Sequence, residues 1–431
     1  MTTSTMPDKL SPGILSLLPL FYVGWSDSVL SPSEMSLIHK KVRELKFLTL
    51  EEKELLVRWT DPRHPPKKAV FKLWLNEMRR LSQDLELEEK ESLVEIGLEM
   101  AKSLANSDQA VWSDSSTVRS LKDIEKSLGI TESGSLRVLL SQMGPLKKEI
   151  QPSHQILAAS VQRVLDGEYT ETRTRMRKLL ADPVFEMTTI RDKDDYRKKI
   201  LEWTKLMAQQ GLGAYAYPEK YGGKNSPGKH ITVFEMLGYH YLSLAVKFGV
   251  QFGLFGGAIY NLGTIYHHDK YLEPLAKANL LGCFAMTETN HGSNVKGLET
   301  TLTYDATKDH IVVHTPHEKA GKEYIGNALH SSHAAVFGQL IINGKSKGIH
   351  AVVVRLRDEK GELMPGVRVE DNGYKMGLNG VDNGKIWFDN VVIPTSDLLN
   401  RYGEIVDGEY QSHIESDSRR FFTMLGALVA G

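Results

Sequence analysis

Cysteine is nearly absent: Cys283 stands alone in 431 residues. One thiol forms no disulfide within the chain, and its place in the apolar run Gly282-Cys283-Phe284-Ala285 reads as a small core residue. Excess charge of either sign is missing too. With 53 basic against 54 acidic residues, a nucleic-acid partner bound by phosphate neutralisation is not expected. No uninterrupted apolar run approaches the ~20 residues that cross a bilayer. The stretch from Ile14 to Val23 lacks the basic start and small-residue cleavage site of a signal peptide, and reads as a buried helix. Gly-x-Gly-x-x-Gly and Walker-type loops are absent, so neither a Rossmann nor a P-loop nucleotide site is indicated. His-Glu-x-x-His and Cys-x-x-Cys spacings are absent as well. His267, His268, His291, His314, His317, His330 and His333 scatter over loops and strands, and no metal site is expected from them. The final residues carry no Ser-Lys-Leu-type address, and with the sparse cysteine this points to the cytoplasm.

What remains is ordinary globular composition, 41% hydrophobic and 25% charged, in a chain long enough for two or three domains. Residues 1–143 read as a helical module. Ser31-Pro32-Ser33-Glu34 and Thr49 with Glu52 have the spacing of capping boxes. Behind them Met35, Ile38, Val42 and Leu45, then Leu55, Leu56 and Trp59, recur at helical spacing. Phe71, Trp74, Met78 and Leu81 form another stripe, and Leu93, Ile96, Met100 and Leu104 a fourth; such stripes are core packing. Gly144-Pro145, Lys147-Lys148-Glu149 and Pro152-Ser153 place a linker over 144–155.

Residues 156–280 read as helical, with Tyr196, Ile200, Trp203 and Met207 on one helix that Gly211 ends. From Leu281 the period shifts. Short β-prone runs at 301–304, 311–313, 340–342, 349–356 and 386–388, with a turn at Asn343-Gly344, place a β domain over 281–400. A new helix is expected from Ser418, within a last segment 401–431. The fold class is therefore α+β and multidomain: a helical module, an α domain, a β-barrel or sandwich middle domain, and the start of a C-terminal helical domain.

The densest signal is Gly282-Cys283-Phe284-Ala285-Met286-Thr287-Glu288-Thr289-Asn290-His291-Gly292-Ser293-Asn294 with Gly297-Leu298-Glu299-Thr300-Thr301 behind it. An apolar strand opens into a Gly-, Ser- and Asn-rich loop, a form suited to bringing backbone N–H groups and hydroxyls close to a polar ligand. These residues resemble the flavin-contacting segment of acyl-CoA oxidases, a branch of the acyl-CoA dehydrogenase superfamily; dehydrogenases usually read Thr-Glu-Pro-x-Ala-Gly-Ser-Asp here. A second stretch, Glu323-Tyr324-Ile325-Gly326-Asn327-Ala328, resembles the strand end that lies against the flavin ring. Dehydrogenases carry Thr where this chain has Gly326, and oxidases usually show aromatic-Pro-Gly-Gly, from which Tyr324-Ile325-Gly326-Asn327 departs. Gly380-Val381-Asp382-Asn383-Gly384 resembles a further oxidase segment, though a β-turn alone also accounts for it. Around Phe21 to Glu34 the chain is similar to TerB-like helical domains. There Glu34 is expected to cap rather than to bind metal with Asp27.

The resemblance implies FAD as cofactor, fatty acyl-CoA and O₂ as partners, trans-2 double-bond formation with peroxide release, and a homodimer for the full-length protein. Thr287 and Gly326, with Met286 and Asn327 beside them, are the implied cofactor residues, and Ser293 and Asn294 the implied substrate or phosphate residues. Glu288 and Glu299 are expected to be structural. The family's base, a Glu of the C-terminal helical domain, is expected beyond Gly431. The alternatives are a dehydrogenase using an electron-transfer flavoprotein and a non-catalytic fragment or scaffold.

Overall fold

A computed structural model describes residues 10–105, 115–130, 152–187 and 189–430, which fall into two units, 1–187 and 188–431. In the first, helix α1 (Pro12–Gly24) begins with the Ser11 hydroxyl accepting from Ile14 N–H at 3.3 Å, and most of its residues are buried. It runs through the centre of a bundle made with α2 (Pro32–Glu44), α3 (Leu50–Arg58), α4 (Lys68–Leu81), α5 (Leu87–Ala105) and α6 (Ser115–Leu128). Both expected capping boxes form. The four stripes, apart from Leu104, whose side chain lies outside the described residues, meet in one core in which Phe21 packs edge-on to Trp59 at 5.6 Å and Trp25 donates its indole N–H to the Trp59 carbonyl at 3.1 Å. Glu34 does cap, its carboxylate accepting from Ser31 N–H at 2.8 Å, and it is buried.

The expected linker lies outside the described residues as far as 151; Pro152–Asp166 is helical (α7), followed by α8 (Thr170–Leu180). This part groups with the first unit. Lys178 pairs with Asp27 at 3.2 Å, and Asp182 accepts from the N–H and hydroxyl of Ser33 at 3.1 and 2.7 Å.

The second unit opens with α9 (Lys193–Gln209), capped by Asp192 and closed by Gly211 in the left-handed region at φ 74°. After α10 (Pro227–Gly238), helix α11 (Leu242–Phe248) continues through a π-helical stretch, Gly249–Phe255, into α12 (Gly256–Leu262). Gly256 N–H turns to the Gln251 and Gly253 carbonyls, and the Phe252 carbonyl instead accepts from the Tyr217 hydroxyl at 2.5 Å. By length and composition Leu242–Leu262 could cross a membrane, which counting uninterrupted runs did not show, because Gly, Ser, Lys and Gln break the run without lowering its average. Two-thirds of it is buried inside this unit.

The β region has two sheets. One has the order β1 (Gly282–Ala285), β5 (His333–Ile342), β2 (Thr301–Asp305), β3 (His310–His314), β9 (Val391–Pro394), with β6 (Lys345–Arg355) also paired to β5. The other has β4 (Lys322–Ile325), β8 (Gly384–Phe388) and β7 (Val367–Asp371). Leu302, Val313, Val336 and Val352 from the first meet Ile325, Val367 and Ile386 from the second in one core, a sandwich. Asn343 and Gly344, at φ 50° and 71°, close the β5–β6 hairpin as expected. A two-stranded ribbon, β10 (Glu404–Val406) with β11 (Glu409–Gln411), precedes α13 (Asp417–Ala430).

Candidate active site

The two informative segments pair with each other. Past the end of β1 the chain runs antiparallel to β4: Glu288 bridges to Lys322, Glu323 N–H donates to the Thr287 carbonyl at 3.0 Å, and the Thr287 hydroxyl donates to the Glu323 carbonyl at 2.9 Å. The buried Asn327 amide nitrogen approaches the Gly282 carbonyl at 3.3 Å. Met286, Thr287, Gly326 and Asn327 therefore share one ribbon, although about forty positions separate its halves. Met286 and Asn327 are buried, and Thr287 and Gly326 are half-buried.

The ribbon is pinned by an ion pair that was not legible in the sequence. Lys322, fully buried, donates to the Glu288 carboxylate at 2.8 Å and to the carbonyls of Met286 and Phe337 at 3.1 and 2.7 Å. Glu288 also accepts from Glu299 N–H, Thr300 N–H and the Thr300 hydroxyl at 2.8, 2.9 and 2.6 Å. Burial alone would raise the Glu288 carboxyl, but Lys322 beside it and these donors hold it below its ordinary value. Burial pulls Lys322 down to about 8, and the adjoining carboxylate opposes that fall. Both Glu288 oxygens are thus occupied.

A bulge between Lys322 and Ile325 throws Tyr324 to φ 57° and leaves its ring exposed, and Asn327 follows at φ 66°. Gly326 itself does not carry a positive φ. What a side chain there would meet is Val250 of the π-helical stretch, its methyl 3.1 Å from an added Cβ. Asn383 donates to the Tyr324 carbonyl at 3.0 Å, and Lys375 donates to Asn383 at 2.6 Å. Tyr324 is thus joined to the loop that exposes Met376 and Leu378.

Behind the turn, Lys247 donates to Asp382 at 2.5 Å, both buried, and contacts the Asn327 amide oxygen at 3.4 Å. His330 N–H donates to the other Asp382 oxygen at 2.9 Å. Burial opposes ionisation of Asp382, but Lys247 and His330 outweigh it and the carboxyl falls below its ordinary value. The Gly380–Gly384 segment is therefore more than a turn. Its aspartate anchors helix α11 to the Gly326–Asn327 turn, and a lone lysine inside the apolar run Leu244-Ala245-Val246-Lys247-Phe248 was the available signal.

Val250 also lines an apolar cavity of about 460 Å³ walled by Ile231, Phe234, Val246, Phe252 and Leu254. The cavity and the Gly326 turn thus share a wall residue. Ser293 and Asn294 lie apart from the ribbon core, on the exposed loop 289–297. Glu299 is occupied by His291 and His317. Cys283 is a buried core residue whose thiol burial pushes up to about 12.

Residues 166–279 match the acyl-CoA dehydrogenase N-terminal domain, and residues 283–391 its middle domain. The chain belongs to the acyl-CoA dehydrogenase superfamily. Proteins named acyl-CoA oxidases are among its relatives. The peroxisomal acyl-coenzyme A oxidase 2 of Arabidopsis thaliana is 43% identical over 249 residues, 56% of this chain and 35% of that protein. An acyl-coenzyme A oxidase-like protein of Mus musculus is 49% identical over 188 residues, 43% of this chain and 30% of its own length. The crystal structure of acyl-CoA oxidase1 from Yarrowia lipolytica superposes with a TM-score of 0.53 at 32% identity, covering 61% of this chain and 38% of that one. The chain spans about a third of the curated relatives it matches. The Arabidopsis relative is named peroxisomal, which differs from the cytoplasmic expectation.

Proposed function

We propose that the oxidase-type domains hold FAD against the ribbon end formed by Met286, Thr287, Gly326 and Asn327, and serve in an O₂-dependent acyl-CoA oxidase acting on fatty acyl-CoA. The observation that carries this reading is the wall shared between the Gly326 turn and the apolar cavity, through Val250. A cavity of that size with aliphatic and aromatic walls suits an acyl chain. Bound FAD supplies the two-electron acceptor that α,β-dehydrogenation of a thioester needs.

The residues fit such a group. The Thr287 hydroxyl gives its proton to the Glu323 carbonyl, so its lone pairs remain to accept from a ring N–H. Gly326 presents no side chain, and exposed Tyr324, Met376 and Leu378 give the neighbouring surface an apolar character suited to a planar ring. Asn327, Lys247 and Asp382 act as positioning residues that fix the turn. Ser293 and Asn294, on an exposed loop, are proposed to meet phosphate groups of the acyl-CoA or the cofactor. Neither Glu288 nor Glu299 is proposed as the base, since each carboxylate is already taken by several donors. Residues 1–143 are proposed as a TerB-like helical module.

The oxidase assignment rests on Gly326, which leaves open the space where oxygen would approach the reduced ring. The test uses protein that carries these domains together with the C-terminal helical domain that the family resemblance implies. Peroxide should form under air in proportion to acyl-CoA oxidised, and Gly326→Thr should slow reoxidation by O₂ more than reduction by acyl-CoA. Turnover only with an electron-transfer flavoprotein would favour the dehydrogenase alternative.

A further inference from the structure

The apolar cavity of the second unit is not apolar throughout. His230, Tyr260 and Asn261 also line it, and among the described residues no charged side chain does. Tyr217 is a further wall residue, but its hydroxyl already donates to the Phe252 carbonyl at 2.5 Å. His230, on α10, lies nearly parallel over Phe248, with ring centroids 5.7 Å apart and 26° between the planes. Its Nδ1 is buried and has no hydrogen-bond partner among the described residues. Burial alone pulls the ring down to about 4, so His230 is neutral at pH 7.

The other ring nitrogen, Nε2, lies toward Gly253, where an added Cβ would stand 3.8 Å from it. Asn261 repeats the arrangement, since a Cβ on Gly257 would stand 3.8 Å from its amide nitrogen. Both glycines line the cavity, one at the π-helical stretch and the other four residues on in α12. Alanine would fit at either place at an ordinary contact distance and would favour the helix. Glycine instead keeps the ground beside each polar tip open.

We propose that His230 and Asn261 make the cavity select an acyl chain bearing a hydroxyl over a plain hydrocarbon chain. The inference rests on the reading of this cavity as the acyl-chain site. A neutral imidazole offers one N–H and one lone pair, and a carboxamide offers donors and acceptors together. A hydroxyl both donates and accepts, so it answers either tautomer of the ring and either orientation of the amide. A methylene chain answers neither, and shuts two polar groups against hydrocarbon without partners. A chain ending in a carboxylate is disfavoured by the same lining, because no lysine or arginine stands there to offset its loss of water.

The test is calorimetric binding to the 431-residue protein of dodecanoyl-CoA and of hydroxydodecanoyl-CoA esters, the hydroxyl moved carbon by carbon along the distal half of the chain. The readout is the affinity of each hydroxy ester relative to the plain ester. For at least one hydroxyl position, His230→Phe and Asn261→Leu should each lower that ratio at least about fivefold, the effect of losing one hydrogen bond to a buried group. His230→Phe keeps a ring over Phe248, and dodecanoyl-CoA should bind both variants at least as tightly as it binds the parent. Gly253→Ala, a change that favours the helix, sets a methyl against Nε2 and should lower the ratio too. Ratios that stay unchanged at every hydroxyl position in either His230→Phe or Asn261→Leu, with both kinds of ester bound, overturn the inference and leave the acyl-chain site standing. Binding of neither kind by the parent overturns that site and the inference with it.

Discussion

Glu34 and Glu288 are both buried, and burial raises both carboxyls, but their partners send them in opposite directions. Glu34 has a backbone N–H and a hydroxyl for partners but no cation, so burial pushes its carboxyl from the ordinary 4.5 up to about 8, with Asp27 and Asp182 adding to the rise. Glu288 has Lys322, and stays below its ordinary value. For Glu34 the sign is fixed by the raised value. Its favourable contribution to folding is fully present below pH 4.5, where both states are protonated, and is lost by about pH 8, across the window in which only the unfolded chain ionises. Stability of the first unit should therefore fall between pH 5 and 8 with a slope from this group of at most ~1.4 kcal/mol per unit. Glu34→Gln keeps the capping box and should flatten that part of the slope in urea unfolding; identical slopes in the two proteins would contradict the assignment. The capping role was legible, because Ser at the cap with Glu three residues on is a local pattern. The shifted carboxyl was not, because it depends on burial in the folded core and on Asp182, which lies far away in sequence.

At the scale of elements, the strands show the same division. Runs such as Ile311–Val313 and Ile349–Leu356 announce themselves by alternation or by continuous apolar residues. β4, Lys-Glu-Tyr-Ile, does not: its lysine points inward to Glu288, its tyrosine outward at positive φ, and a bulge disturbs its period. β7 is a partly exposed flank of the smaller sheet, and its Val-Arg-Val alternation is only three residues long. The π-helical stretch is equally invisible, since it depends on Tyr217 supplying a donor from another element. The Lys322–Glu288 pair carries the consequence of this arrangement. Lys322→Met leaves a buried carboxylate without its cation, and should cost the second unit about 3–5 kcal/mol in urea unfolding. Adding Glu288→Gln should recover part of that loss. A cost below about 1 kcal/mol for Lys322→Met would show that the pair does not pin the ribbon.

At the scale of the molecule, the first unit has its own core, and helix α8 with Asp182 belongs to it through Lys178–Asp27 and Ser33. A polypeptide of residues 1–187 should melt cooperatively without the rest, because a helical domain of this size buries enough apolar surface to fold alone. A broad, non-cooperative melt would count against an independent unit. The second unit carries the superfamily's middle domain and most of its N-terminal domain, and the whole functional reading depends on where its two informative segments meet. The most direct measurement is an FAD titration of the 431-residue protein followed by quenching of flavin fluorescence, with Gly326→Leu and Thr287→Val alongside. The account predicts saturable quenching by the parent, and affinity lowered at least about tenfold by Gly326→Leu, a loss of roughly 1.4 kcal/mol, with a smaller loss for Thr287→Val. Equal FAD affinity in all three proteins, or no FAD binding by the parent, would contradict it.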